Sequence, residues 1–126
     1  MKTDQFGGIA AIGLLSIGIA QAAPATASDP AMVKLATQSG CLTCHSIESS
    51  NSSAKPIGPA WQDVANKYKG QKGAAKTLTA TVMQGSNPYA SHWAGKVTGL
   101  AMPPNAVAIS RQRAARLVHW ILSLAD

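Results

Sequence analysis

The sequence contains few charged residues, few aromatic residues and only two cysteines. Charged residues make up 13% and aromatic residues 5% of its 126 residues. The two cysteines lie so close together in the chain that a disulfide between them would close too small a loop to stabilise a fold. No apolar run reaches the roughly 20 residues that a bilayer-spanning helix needs. The length of 126 residues limits the chain to one small domain, and a shortage of large apolar side chains leaves that domain with a thin hydrophobic core.

The N-terminus has the layout of a secretory signal peptide. A lysine at position 2 precedes an apolar run over residues 6–20, and an A-x-A-like cleavage site follows it. The 15-residue run contains four glycines, so it is short and loose for a membrane anchor, which is the alternative. We expect residues 1–22 to be removed and residues 23–28 to form a flexible linker before a domain at 29–126. Export predicts a periplasmic location, with no stable membrane insertion after cleavage.

Basic residues outnumber acidic residues by eleven to five, which gives a formal net charge of +6. An exported basic protein is expected to meet acidic proteins or anionic lipid surfaces. The lysines are not interleaved with aromatic residues, and no segment has the pattern of a nucleic-acid-binding module. We therefore expect protein partners and no nucleic acid.

Apolar residues recur at helical spacing in several segments, and no segment alternates as a strand does. The first helix begins with Asp29 as its N-cap and is predicted to run into the low forties. Two more are predicted over 61–69 and 74–84, each followed by a glycine, and the last begins after Ser110. Residues 85–107 form a long stretch of a kind that is usually functional or anchored to something. The fold class is all-α, with four to five short helices and long loops.

The two cysteines belong to the run Cys41-Leu42-Thr43-Cys44-His45, which has the C-x-x-C-H spacing of covalent c-type haem attachment. On a helical turn, positions i and i+3 share a face and position i+4 lies beside them. Two thiols placed in this way can each form a thioether with one of two neighbouring vinyl groups on the porphyrin edge. The motif predicts one haem c, bound covalently through Cys41 and Cys44, with His45 as an iron ligand.

Two other kinds of site share this cysteine spacing. A thioredoxin-like redox pair needs a strand followed by a helix, and no strand is predicted here. A zinc site would take both cysteines and His45, and would need His92 or His119 as a fourth ligand. Structural zinc sites usually combine two separated ligand pairs. Export to an oxidising compartment and the lack of further cysteines favour haem.

The iron needs a sixth ligand, or a vacant position, on the face opposite His45. Met102 is favoured because Pro103 and Pro104 follow it, and two prolines stiffen the loop that would deliver its thioether. A methionine ligand raises the reduction potential and suits an electron-transfer iron. His92 is the rival, since it shares the long loop with Met102. The remaining candidates are interpreted as packing or surface residues: Met32, Met83 and His119.

Three motifs and the final helix together resemble the class I c-type cytochromes. The motifs are Cys-Leu-Thr-Cys-His at 41–45, Gly-Pro-Ala-Trp at 58–61 and Met-Pro-Pro-Asn at 102–105. The similarity covers residues 29–126, and the Met-Pro-Pro-Asn run is more specific than the haem motif alone. It is nearest to the small bacterial periplasmic branch that shuttles electrons in respiration. The resemblance implies the cytochrome c fold, wrapped around one covalently bound haem.

The resemblance also implies roles for residues around the haem. The carbonyl of Pro59 would accept a hydrogen bond from the His45 ring nitrogen that does not bind iron, which sets ring orientation and ligand basicity. Asn105 would donate toward the sulfur of Met102. Trp93 would offer its indole N–H to a haem propionate.

The favoured function is that of a periplasmic electron carrier, which is not itself an enzyme. The haem edge near the cysteines would be the transfer port, and a redox partner such as an oxidase, reductase or dehydrogenase would dock through an acidic face. The lysines that would steer this docking are Lys67, Lys69, Lys72, Lys76 and Lys96.

Two alternatives remain open. In the first, the chain is the haem subunit of a stable periplasmic dehydrogenase complex, for example a sulfite-oxidising one, with Tyr89 and Trp93 as interface anchors. In the second, the chain holds a five-coordinate haem that binds a small ligand, with His92 as the distal polar group. Methionine ligation predicts a low-spin haem with a weak far-red sulfur-to-iron(III) charge-transfer band, which a five-coordinate haem lacks.

Overall fold

The structure, a computed structural model, describes residues 27–126. Within this range it contains four α-helices, one turn of 3-10 helix and no strand. This confirms the predicted all-α class. In chain order the elements are α1 (Pro30–Gln38), the 3-10 turn (Cys41–Thr43), α2 (Trp61–Tyr68), α3 (Ala74–Gln84) and α4 (Arg111–Leu122).

The predicted signal peptide at 1–22 lies outside the described residues, as does most of the predicted linker at 23–28. Both stay predictions. Across residues 27–126, none of the helices has the length and apolar character needed to cross a membrane.

The start of α1 agrees with the sequence, but its end does not. Asp29 caps the helix, because its Oδ1 accepts hydrogen bonds from the N–H groups of Ala31 and Met32 at 3.0 and 3.2 Å. The predicted extension into the low forties is wrong, since the α-helix stops at residue 38. Gly40 adopts a left-handed φ of 73°, which breaks the helix and redirects the chain into the 3-10 turn. The cysteine motif therefore begins a new local structure.

The last helix organises the core. α4 packs against α1, α2 and α3. Helical spacing in the sequence predicts one apolar stripe on this helix, formed by Ala114, Leu117, Val118, Ile121 and Leu122. The first four are buried as predicted, but Trp120 is buried in place of Leu122, which is only half-buried. Trp120 makes an edge-on contact with Trp61 of α2, with ring centroids 5.7 Å apart, and this contact stabilises its buried position. The remaining buried residues of α4 are Ala114, Leu117, Val118 and Ile121.

The apolar face of α3 has a different neighbour. Leu78 and Val82, which the helical pattern places on one face, are only half-buried and line a cavity. The fully buried residues of this helix are Ala74 and Thr79. Leu78 and Val82 of α3 thus face the space in which a cofactor would lie.

Candidate haem site

An open-sided cavity lies between the helices and the long loops. Much of its wall is aliphatic, with Leu78 and Val82 from α3 and Leu117 and Ile121 from α4. Small-molecule and cofactor sites are typically concave and mostly apolar, with a few polar groups. The cavity therefore has the shape and the chemistry of a cofactor site.

The same cavity gathers the side chains that could bind a haem and its iron. Cys41, Cys44, His45 and Met102 all line it. Cys41 is half-buried and Cys44 is exposed, and no disulfide joins them. Imidazole and thioether groups are ligands that haem iron accepts from proteins. The 3-10 turn and the Pro-rich loop thus bring both predicted iron ligands to one place.

The imidazole of His45 is held from three sides. Its Nδ1 lies 2.7 Å from the carbonyl oxygen of Pro59. A carbonyl oxygen only accepts, so Nδ1 carries the proton and donates, which leaves Nε2 with a free lone pair. The ring also stacks on Trp61, with centroids 5.8 Å apart and 25° between the planes. On a third side, a Cβ at Gly58 would lie 2.9 Å from the His45 Cε1, so only glycine fits there.

Burial shapes the protonation of the site. It lowers the pKa of His45 from its ordinary value, although the hydrogen bond to Pro59 opposes the shift. The neutral imidazole is the form that binds a metal. Burial also raises the pKa of the Cys41 thiol. Both shifts favour uncharged side chains inside an apolar cavity.

Of the five candidates for the sixth ligand, all within the described residues, Met102 alone lines the cavity. Met32 belongs to the buried helical core and Met83 packs against that core. His92 and His119 are exposed. Within residues 27–126, no three His, Cys, Asp or Glu side chains are grouped as a metal site.

The profile of the cytochrome c family matches residues 33–125 of this chain. The chain belongs to the cytochrome c family. Cytochrome c-551 of Pseudomonas aeruginosa is 38% identical over 90% of this chain and 94% of that protein. Cytochrome c-552 of Nitrosomonas europaea is 36% identical over 98% of this chain and 99% of that protein. The crystal structure of cytochrome c552 from Nitrosomonas europaea aligns with a TM-score of 0.57 and 35% identity, covering 73% of this chain and 98% of that one.

Family membership defines the cofactor and the role of this cytochrome. It carries one haem c, attached covalently through Cys41 and Cys44, the only cysteines in the sequence. It transfers electrons to and from redox partner proteins and is not an enzyme. The residues present fit the group, because the cavity combines aliphatic walls with two thiols, an imidazole and a thioether.

Trp93, the predicted propionate donor, is half-buried and forms part of the cavity wall. On its outer side, the Lys96 Nζ lies 5.7 Å from the ring centroid and donates to the Nε2 of His92 at 3.0 Å. The His92 ring meets Trp93 edge-on at 4.8 Å. Desolvation, and then the charges of Lys96 and Lys67, lower the pKa of His92. His92 is thus held by Lys96 at the surface, while the role of Trp93 toward a propionate stays a prediction.

Asn105 is bonded to its own loop. Its Nδ2 donates to the carbonyl of Pro103 at 2.7 Å, and its backbone N–H donates to the carbonyl of Val82 at 3.0 Å. An amide nitrogen carries two N–H groups, so the bond to Pro103 leaves one for the sulfur of Met102. The predicted donation to that sulfur remains a prediction.

The long stretch at 85–107 is anchored to the loop before α2. The N–H of Thr98 donates to the carbonyl of Pro56, and the N–H of Gly99 donates to the carbonyl of Ile57, both at 2.9 Å. A Cβ on Gly99 would lie 2.7 Å from the Ile57 oxygen, so glycine allows the close approach. The sequence predicted an anchored stretch but gave no signal for this partner, because the two loops share no motif.

Sequence reasoning also missed two residues at the end of α3. Gly85 has a left-handed φ of 84°, and a Cβ there would lie 2.8 Å from the carbonyl oxygen of Met102. Ser86, which follows it, lines the cavity and bonds to the Met102 backbone. In the sequence, the glycine indicates only the end of a helix, and nothing singles out the serine.

Gly58→Ala is expected to displace His45 and to lower the free energy of unfolding by about 1–3 kcal/mol. The new Cβ would lie 2.9 Å from the ring and 3.2 Å from the carbonyl oxygen of Cys44. Neither neighbour can move away, because the His45 ring is hydrogen-bonded to Pro59 and Cys44 is covalently attached to the haem. Thermal unfolding measures the loss, and the electron paramagnetic resonance of the ferric haem reports the ring orientation.

Gly95→Ala is the matched control for this substitution. Its Cβ would meet no atom within 4 Å, so the only cost comes from its left-handed φ of 76°. It should lose about 1–2 kcal/mol without any change in the resonance of the haem. An unaltered spectrum in Gly58→Ala would contradict the close contact with His45.

Proposed function

We propose that this cytochrome is a periplasmic electron shuttle whose haem iron is held by the Nε2 of His45 and the Sδ of Met102. One observation carries the proposal: both side chains line the cavity that both cysteines line, whereas the other candidates lie in the core or on the surface. Two protein ligands on opposite faces suit an iron that changes charge with little rearrangement.

The haem, when bound, supplies a one-electron couple between Fe(II) and Fe(III). The chain holds and tunes it. Pro59 keeps the Nδ1 proton of His45 in a hydrogen bond, which fixes the ring and raises its basicity as a ligand. We assign Asn105 the role of donor toward the methionine sulfur, and Trp93 the role of donor toward a propionate, since its ring forms part of the cavity wall.

The periplasmic location rests on the signal-peptide layout of residues 1–22 and on the bacterial origin of the related cytochromes. The charged start, the short apolar run and the small residues after it are typical of exported proteins. A mature N-terminus that begins near residue 23 in the protein isolated from cells would support this location.

Docking is proposed beside the cavity, through basic residues. The five lysines predicted to steer a partner are all exposed. Two of them, Lys67 and Lys96, line a surface groove that shares Pro59 and Trp93 with the cavity wall, although Asp63 also lies in this groove. Positive charge beside the transfer port raises the rate of encounter with an acidic partner without requiring tight binding.

Electron transfer from this cytochrome to an anionic oxidant is expected to slow by about tenfold or more as the Debye length falls from about 30 Å at 0.01 M salt to about 3 Å at 1 M. Ferricyanide serves as the probe because it is a small anion of defined charge. The reduced protein is mixed with it in a stopped-flow instrument, and the rate is followed against ionic strength.

The double variant Lys67→Gln/Lys96→Gln should flatten this salt dependence. Lys34→Gln is the matched control, since Lys34 is an exposed lysine on α1, which contributes nothing to the groove. A rate independent of salt in the wild type would contradict a basic docking face. So would an equal loss of salt dependence in the control and in the double variant.

A permanent complex remains the second candidate, favoured by the apolar exposure of the loop after α3. Tyr89 is 96% exposed and Leu100 is 87% exposed. Trp93, the other predicted anchor, is half-buried in the cavity wall, so it lacks the exposure that an anchor needs. Co-purification of the native protein as a stable heterodimer with a dehydrogenase would favour this candidate over the shuttle.

A further inference from the structure

Ser86 forms two hydrogen bonds with the backbone of Met102, one on each side of the residue. The Ser86 N–H donates to the Met102 carbonyl at 2.9 Å. The Met102 N–H donates to the Ser86 Oγ, also at 2.9 Å, and this bond is partly buried. One serine therefore satisfies both backbone polar groups of the methionine, one of them through its side chain.

The two prolines after Met102 make these bonds more important than usual. Pro103 and Pro104 have no N–H, so Met102 and Asn105 carry the only backbone donors of the segment 102–105. The Asn105 N–H donates to the carbonyl of Val82 in α3. The other donor goes to Ser86, so every backbone N–H of this segment is bonded to α3 or to the residues just after it.

The end of α3 also presses against this segment. A Cβ at Gly85 would lie 2.8 Å from the Met102 oxygen and 3.1 Å from the Cδ of Pro104, so the loop could not sit so close without a glycine. Ser86 follows directly and lines the cavity beside Met102. Hydrogen bonds at Met102 and Asn105 thus fix the two ends of the segment 102–105, and the close approach of Gly85 fixes its middle.

We propose that Ser86 is a positioning residue, whose hydroxyl holds the Met102 backbone so that the thioether stays on the iron. The proposal rests on the proposed function, in which Met102 is the sixth ligand. While Met102 is on the iron, the loop is closed and the partly buried Met102 N–H depends on the Ser86 hydroxyl as its acceptor. Once Met102 leaves the iron and the loop opens, water can accept from this N–H instead. The hydroxyl therefore stabilises the closed arrangement against the open one.

Imidazole is a suitable probe, because as a sixth ligand of the ferric protein it competes with the Met102 thioether. Ser86→Ala is expected to raise the apparent affinity for imidazole by about tenfold, as expected for the loss of one partly buried acceptor. The far-red charge-transfer band should also fade at a lower temperature than in the wild type. Ser86→Thr keeps the hydroxyl and should restore both properties.

Ser91→Ala is the matched control. Ser91 also lines the cavity, and its Oγ also accepts from a backbone N–H, that of Trp93 at 3.2 Å. Its hydroxyl makes no bond to Met102 among the described contacts. Imidazole affinity should therefore stay within about twofold of the wild type. Equal affinity in Ser86→Ala and Ser91→Ala would overturn the role of Ser86.

Amide hydrogen exchange reads the bond directly and requires no variant. In the wild-type holoprotein, the amides of Met102 and Asn105 should both be protected. In Ser86→Ala, the Met102 amide should lose protection while the Asn105 amide, bonded to Val82, keeps it. A fast-exchanging Met102 amide in the wild type would overturn the proposal even if the variant failed to fold.

Met102→Ala separates this inference from the ligand assignment. If it retains the far-red band and the imidazole affinity of the wild type, Met102 is not the ligand and the proposed ligation fails. If it loses the band while Ser86→Ala behaves as the wild type, the ligation stands and only the role of Ser86 is lost.

Discussion

Cys41→Ser/Cys44→Ser is expected to yield little cooperatively folded protein, because the haem supplies a large part of the core. The cavity has a volume of about 170 Å³. At about 24 cal/mol per Å³, this volume left buried and empty would cost about 4 kcal/mol. A domain has a total free energy of unfolding of only about 5–15 kcal/mol. Loss of the covalent haem therefore removes a large part of the stability.

Circular dichroism and thermal unfolding measure this effect. The double variant should have less helix than the wild type and no sharp transition, because the cavity-lining side chains of α3 and α4 lose the group they pack against. Thr43→Ser is the matched control, since Thr43 is an exposed residue between the two cysteines. It should take up haem and unfold as the wild type does. A cooperative transition in the double variant, without haem, would contradict a haem-dependent core.

The ends of several helices could be predicted because short-range interactions determine them. Asp29 caps α1, and the Ser110 Oγ accepts from the N–H of Arg113 at the start of α4. Gly85 ends α3 where predicted, with a positive φ that other residues avoid. These signals act within a few residues, so they are visible in the sequence alone.

Other features depend on contacts between distant segments, and the sequence did not reveal them. Trp120 is buried in the core while Leu122 is only half-buried, and this difference depends on the contact of Trp120 with Trp61. The bond of Gly99 to Ile57 joins two loops that share no pattern. Ser86 is a common residue in a polar stretch, and only the structure brings it to Met102.

The candidate site was predictable to the extent that its chemistry is local. The spacing of Cys41, Cys44 and His45 is itself the attachment motif, because all three side chains must reach one porphyrin. The prolines after Met102 suggest it as a ligand because they stiffen its loop. They do not indicate where in the fold that loop lies. Its place in the cavity depends on bonds to the end of α3, which no local pattern encodes.

Met102→Ala is expected to abolish the far-red charge-transfer band of the oxidised protein and to open the iron to external ligands. The thioether that favours Fe(II) is lost, so the reduction potential should fall by on the order of 0.1 V, within the roughly 0.8 V that axial ligands cover. Absorption spectra of the two oxidation states and a redox titration measure both effects. Carbon monoxide should bind the reduced variant and not the reduced wild type.

Met83→Ala is the matched control, because it removes the same thioether from a residue that packs against the helical core on the neighbouring helix α3. It should keep the band and the reduction potential. Because Met83 is only half-buried, the free energy of unfolding of this variant should fall by about 2 kcal/mol, which is at the low end for replacing a methionine by alanine. The opposite pattern, with the band lost in Met83→Ala and kept in Met102→Ala, would transfer the ligand role from the loop to α3. It would also require α3 to turn Met83 away from the core, because this side chain does not line the cavity among the described residues.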